Sequence, residues 1–172
     1  AVAAAAMALE LGVSLADVQA GLEGAAAAFG RVETIPIGGR DVWILLVKNP
    51  AGANEVLRTL TLAGDRLDLW IALNDRIADG RDVSWIWDAD FELLAGRVRS
   101  VTCSGTRAEE MALRLKYAGI GAEPRIDRDL GRSLDAAVAD GEGPLYALPT
   151  YTALIELRDL LAERGLARPW AG

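Results

Sequence analysis

Histidine is absent from the 172 residues, and cysteine occurs once, at Cys103. The first absence excludes a histidine-bearing triad, a histidine general base or a histidine metal site assembled from this chain alone. The second excludes an intrachain disulfide framework and fits a reducing, cytoplasmic compartment. Neither phosphate-cradling pattern, GxxxxGK(S/T) or GxGxxG, is present. No apolar run is long enough to form a transmembrane segment, and the Ala-rich opening lacks the basic leader of a signal peptide. Positive charge is in deficit. A formal charge of −7 and a pI near 4.7 repel phosphate backbones, so nucleic acid is not expected as a partner.

What is present suits one ordinary globular domain: 52% of residues are hydrophobic, enough for a sizeable core. Residues 1–30 read as two alanine-rich helices, the first closed by Gly12 and the second opened by Ser14 with Asp17 as a capping box. The first is under way at residue 1, so the chain is expected to be a piece of a longer protein. From Thr34 the period changes. Thr34–Ile37 and Val42–Val47 read as strands joined at Gly38-Gly39, a hairpin signal. Asn54–Leu62 is expected as a helix with Pro50 in its first turn, Leu67–Leu73 as a buried strand and Phe91–Leu94 as a helical turn. Val98–Cys103 is expected as another strand, followed by a helix whose apolar face is Ala108, Met111, Ala112, Leu115 and Ala118. A short strand at Ile126, a helix at Leu134–Val138, a strand at Leu145–Leu148 and a helix at Tyr151–Glu163 complete the pattern. Such alternation implies an α/β fold: a mostly parallel, Rossmann-like sheet with helices on both faces and an antiparallel edge hairpin.

The richest chemistry lies in Asn74–Phe91, NDRIADGRDVSWIWDADF, just past an apolar strand, where α/β folds place their sites. It carries Asn74, Asp75, Asp79, Asp82, Asp88 and Asp90 with Trp85 and Trp87 among them. It reads either as a solvated connection with tryptophans turned to the core or as a site. Carboxylates of this kind can fix the tautomer of a histidine, which here must come from another protein. Their spacing matches no calcium loop, and no metal site is expected. Cys103 lacks a basic neighbour and reads as a small buried residue. Ser104-Gly105-Thr106 either holds an anion or lets Thr106 cap a helix, with Glu109 completing a capping box. Arg31 and Lys48 are cations at element ends.

Four segments carry a family resemblance: LVKNPAG (Leu46–Gly52), LNDRIADGRDVSWIWDADFE (Leu73–Glu92), SGTRAEEMALRLKYAG (Ser104–Gly119) and LPTYTAL (Leu148–Leu154). Together they resemble the C-terminal domain of the Mur-ligase-like subunit of lipid II isoglutaminyl synthase, over essentially the whole chain. The resemblance implies a division into 1–30, the helical end of a Mur ligase central domain, and 31–172, a Mur ligase-like C-terminal domain. It implies a heterodimer with a glutamine amidotransferase subunit. That complex uses ATP, Mg2+ and glutamine to amidate the D-glutamate α-carboxyl of the peptidoglycan stem peptide, with lipid II as substrate. It implies that Asp82, the second acid of DGRD, completes the partner's Cys–His glutaminase triad, with Asp79, Asp88 and Asp90 as lesser alternatives. Trp85 and Trp87 become interface anchors or loop packers. Nucleotide contacts are implied at Arg31, Lys48 and Asn49, although Leu45 and Lys48 stand where Mur ligases carry an acid and a histidine. The family's P-loop and zinc-binding insertion lie outside this sequence, so the isolated chain is expected to bind no cofactor and be inactive. Two rivals remain: the C-terminal domain of an ordinary Mur or folylpolyglutamate-type amino-acid ligase, and a non-catalytic docking module.

Overall fold

The fold grows from β3 (Leu67–Ala72), an apolar strand whose residues are all buried. A strand wrapped on both faces must be central, and β3 pairs in parallel with β4 (Val98–Ser104) on one side and β6 (Leu145–Pro149) on the other. The computed structural model describes residues 2–24, 32–63 and 66–167. Its sheet has the order β1-β2-β6-β3-β4-β5, with β1 at Glu33–Ile37, β2 at Arg40–Ile44 and β5 at Arg125–Ile126. Only the β1–β2 pair is antiparallel. Their turn uses Gly38 and Gly39 at φ +57° and +83°, the paired left-handed geometry that matches strand twist.

Helices cover both faces. α3 (Pro50–Leu62) and α4 (Ala108–Tyr117) bury Leu57, Leu60, Met111 and Leu115 against Leu69 and Ile71. α5 (Leu130–Ala139) and α6 (Tyr151–Glu163) bury Leu134, Leu154, Leu157 and Leu161 against Trp70 and Ala72. The alternation of Leu69 and Ile71 with Trp70 and Ala72 is the period-two signature of a strand serving two cores. Trp70 is fully buried. Its indole N–H donates to Ser133 Oγ at 2.9 Å, so the polar tip is satisfied inside the second core.

The N-terminal segment forms two helices, α1 (Val2–Glu10) and α2 (Leu15–Glu23). Ser14 accepts the Asp17 amide at 3.2 Å and donates to its carboxylate at 2.6 Å, as the capping pattern implies. Gly12 closes α1 at φ +84°. Residue 30, the expected domain boundary, lies outside the described residues. Strand β2 is shorter than the apolar run Val42–Val47, yet Leu45 and Val47 still donate to Ala147 and Pro149 of the neighbouring strand. Among the described residues no helix is long and apolar enough to cross a membrane.

Candidate functional site

The strand ends create the site. The chain leaving β3 turns onto the face covered by α3 and α4, whereas the chain leaving β6 enters α6 on the opposite face. Adjacent parallel strands whose connections diverge in this way open a crevice at their carboxyl ends. A cleft of about 590 Å³ lies there, lined by Asp75, Arg76, Ile77, Ala78, Arg81 and Thr152.

Polar groups tie its rim together. Buried Asn74, just beyond β3, accepts the Thr106 N–H through Oδ1 at 3.0 Å and donates through Nδ2 to Thr152 Oγ1 at 3.0 Å. Its own N–H donates to Thr150 Oγ1 at 3.0 Å. One side chain thus links the ends of β3, β4 and β6. The link demands Gly105, at φ +86°, because a Cβ there would lie 2.6 Å from Leu73 O and 2.7 Å from Asn74 Oδ1. Thr106 does not cap α4. The helix starts after Arg107 with no side-chain cap. The Thr106 hydroxyl instead donates to Asp75 Oδ1 at 2.8 Å and accepts the Asp75 N–H at 3.2 Å. The expected Thr106–Glu109 capping box is therefore corrected: the threonine clips the acidic loop to the β4 end. Bonds from Thr106 and then Arg107 hold the Asp75 carboxyl below its ordinary pKa.

The remaining acids of the loop differ in employment. Asp79 accepts the Thr152 N–H at 2.8 Å and its hydroxyl at 2.5 Å, capping the first turn of α6 from a distant part of the chain. Gly80, at φ +88°, turns the chain out of that clasp. Asp82 is exposed, and its Oδ1 accepts the Ser84 N–H at 2.8 Å, opening the 3₁₀ helix Ser84–Asp88. That backbone bond holds its pKa below the ordinary aspartate value of 3.8, so the group is an anion at neutral pH. Asp88 and Asp90 are exposed; the backbone N–H of Asp90 donates to Asn54 Oδ1 at 2.8 Å. Of the acids in Asn74–Phe91, Asp82 combines solvent exposure with a fixed carboxylate orientation.

The tryptophans divide. Trp85 is half-buried and packs against the α3/α4 core, whereas Trp87 is 49% exposed. Trp87 meets Tyr117 edge to face at 5.7 Å, with the guanidinium of Arg114 5.5 Å from its ring centre. Arg114 is a site residue that sequence reasoning missed. It is 3% exposed, and it donates to Ile86 O at 2.9 Å, Ala89 O at 2.7 Å and the Glu92 carboxylate at 2.8 Å.

Lys48 and Asn49 follow β2 at the same carboxyl edge. Lys48 is exposed, with Nζ 5.3 Å from the centre of the Tyr151 ring. Asn49 Oδ1 accepts the Gly52 N–H at 2.8 Å and caps α3. Arg31 lies outside the described residues. Cys103 is fully buried, and burial pushes its thiol up to about 12, which removes it as a nucleophile. Among the described residues no group of three or more acidic or thiol side chains converges as a metal site.

A family profile described as "MurT ligase C-terminal" matches residues 46–154. The chain is 38% identical over 170 residues to the lipid II isoglutaminyl synthase (glutamine-hydrolyzing) subunit MurT of Streptococcus pneumoniae (strain ATCC BAA-255 / R6), covering 98% of this chain and 38% of that protein. It is 38% identical over 154 residues to the same subunit of Staphylococcus aureus (strain COL), covering 88% and 35%. The chain therefore spans well under half the length of these relatives. Among solved structures it resembles MurF of Acinetobacter baumannii, with a TM-score of 0.62, 19% identity and coverage of 91% and 35%. It also resembles a Mycobacterium tuberculosis folylpolyglutamate synthase complexed with ADP and AMPPCP, with a TM-score of 0.58, 20% identity and coverage of 89% and 37%. At these identities the solved structures establish the fold. The profile match over the acidic loop and the strands that present it leads to one assignment: the chain belongs to the MurT ligase C-terminal family.

Proposed function

We propose that this chain is the part of a lipid II isoglutaminyl synthase ligase subunit that docks a glutamine amidotransferase and presents Asp82 to that partner's Cys–His pair. One observation carries the reading. Asp82 is an exposed, ionised carboxylate held by a backbone N–H, in a chain that has no histidine of its own. A carboxylate so placed accepts the ring N–H of an incoming histidine, fixes its tautomer and stabilises the imidazolium formed when the cysteine is deprotonated. Asp79 cannot easily do so while both its oxygens hold Thr152. Exposed Trp87 and Tyr117 supply aromatic surface of the kind that anchors interfaces.

In the full-length subunit, residues 1–30 belong to the end of a central domain and 31–172 form the C-terminal domain. Glutamine hydrolysis by the partner releases ammonia. The α-carboxyl of D-glutamate in the lipid II stem peptide is activated with ATP and amidated by that ammonia, in the cytoplasm. The groups seen here fit a nucleotide only at its periphery. Lys48 offers one exposed ammonium at the carboxyl edge, while Asn49 Oδ1 is already used as a cap. Mg2+ and the main phosphate contacts are assigned to the P-loop-bearing portion, and Arg31 remains a proposed nucleotide contact.

The test uses the full-length subunit with its amidotransferase. Asp82→Asn should leave complex formation by gel filtration intact and lower glutaminase kcat by about 10²- to 10⁴-fold, with partial recovery in Asp82→Glu. An intact complex with wild-type hydrolysis would leave the loop a docking surface only.

A further inference from the structure

The two neighbours of Asp82 along the chain are anchored to opposite faces of the sheet. Upstream, Asp79 is clasped to the N-terminus of α6 through Thr152. Downstream, the residues that precede the two 3₁₀ helices Ser84–Asp88 and Phe91–Leu94, Val83 and Asp90, make no side-chain cap bond. Short 3₁₀ segments are weak by themselves, since their hydrogen-bond geometry is poor and their end carbonyls lack partners. Arg114, reaching out of α4, supplies those partners. Its Nε takes Ile86 O, its Nη2 takes Ala89 O and the Glu92 carboxylate, and its planar group lies 5.5 Å from the Trp87 ring centre and 5.4 Å from that of Phe91. The Glu92 carboxyl is in turn held below its ordinary pKa, chiefly by the bond from Arg114.

A cation this deeply buried is expensive unless every contact is made, so the arrangement has one low-energy geometry rather than a range. Arginine suits it because one rigid fork reaches two carbonyls and a carboxylate at once; lysine, a point charge on a flexible stem, cannot. The consequence passes directly to Asp82. Its carboxylate is oriented by the N–H of Ser84, the first residue of the segment that Arg114 fixes.

We propose that Arg114 is a positioning residue for the glutaminase reaction: it sets the 84–94 segment so that Asp82 meets the partner's histidine in register. The proposal rests on the reading of Asp82 given above. Misplacing a catalytic group by about 1 Å can lower a rate on the order of a hundredfold. Arg114 should therefore act on turnover through Asp82 and leave glutamine binding in the partner's pocket alone.

The experiment is a double-mutant cycle in the full-length complex, comparing wild type, Asp82→Asn, Arg114→Lys and the pair. Expected for Arg114→Lys are a kcat loss of about ten- to a hundredfold, an unchanged KM for glutamine and a complex that still assembles. The acid limb of the kcat/KM profile should move to lower pH in both single variants, because the partner's imidazolium loses its carboxylate. The pair should be no slower than Asp82→Asn alone, since both changes act on one contact. If Arg114→Lys prevents assembly, Glu92→Gln tests the same anchor from its exposed end, with a smaller loss in the same direction and the same non-additivity. Wild-type turnover in the Arg114→Lys complex, or losses that multiply in the pair, would overturn the positioning role while leaving Asp82 in place. Wild-type turnover in Asp82→Asn would overturn the underlying reading, and the positioning role with it.

Discussion

Two aspartates sit at opposite ends of the same sheet and teach different lessons. Asp68, at the amino end of β3, is 2% exposed and is enclosed by Arg40, Arg99 and Ser100. Arg40 reaches Asp68 Oδ2 at 2.7 Å and also donates to the carbonyls of Ala137 at 2.8 Å and Gly143 at 2.7 Å. The backbone comes so close here that a Cβ on Gly141 would collide with the Arg40 guanidinium. This cluster is closed, with strand, helix end and loop all bound to one another. Asp82, beyond the carboxyl end of the same strand, is held only by neighbouring Ser84, chiefly through its backbone N–H, and faces water. The same side chain is locked into the fold where it is enclosed and, on the proposed reading, offered to a partner where it is presented. Carboxyl ends of parallel strands host sites, while the opposite edge is free to be locked.

The contrast can be broken at several points. Asp82→Asn should give the largest change, a glutaminase loss of about 10²- to 10⁴-fold, with stability within about 0.5 kcal/mol of wild type in urea titrations. Asp68→Ala should do the reverse. Leaving Arg40 buried without its carboxylate should destabilise by about 3–5 kcal/mol in the same titrations, while turnover per folded complex stays at wild type. Gly105→Ala probes where the two roles meet. A forced left-handed alanine against Leu73 O and Asn74 should destabilise by about 1–3 kcal/mol, and hydrogen exchange should rise at 73–76 and 105–107. Asp79→Ala should lose about 1 kcal/mol of helix cap, visible as faster exchange at the start of α6. The smallest effect concerns pH. The Asp82 carboxyl, observed by NMR, should titrate below 3.8. Because its folded-state value is depressed, the Ser84 bond supports the loop above the unfolded-state pKa and is lost as pH falls through the folded value.

Much of this was legible in the residues. Period-two and period-3.6 patterns placed the strands and helices, and Tyr151–Glu163 matches α6 end to end. Gly38-Gly39 announced the hairpin because few residues other than glycine tolerate two successive positive φ values. The acidic loop stood out by composition. What local pattern could not carry was partner choice across the fold. Asp79 and Asp82 are both acids of one DGRD turn, and Thr152, far along the chain, is what separates their roles. Thr106 with Glu109 fits a capping box as well as it fits a clip to Asp75, and only the approach of the β3 end decided between them. Arg114 looks like an ordinary basic residue near a helix C-terminus, where cations favour the dipole. Its burial arises because the 84–94 segment folds over it, which no spacing within α4 announces.

The central claim is that one particular acid of the loop completes a site in another subunit. The most direct measurement is kcat for glutamine hydrolysis by the full-length complex, at matched complex concentration, for Asp82→Asn beside Asp88→Asn. A fall of about a hundredfold or more in the first, with the second at wild type, is the expected result. Wild-type hydrolysis by an intact Asp82→Asn complex would contradict it.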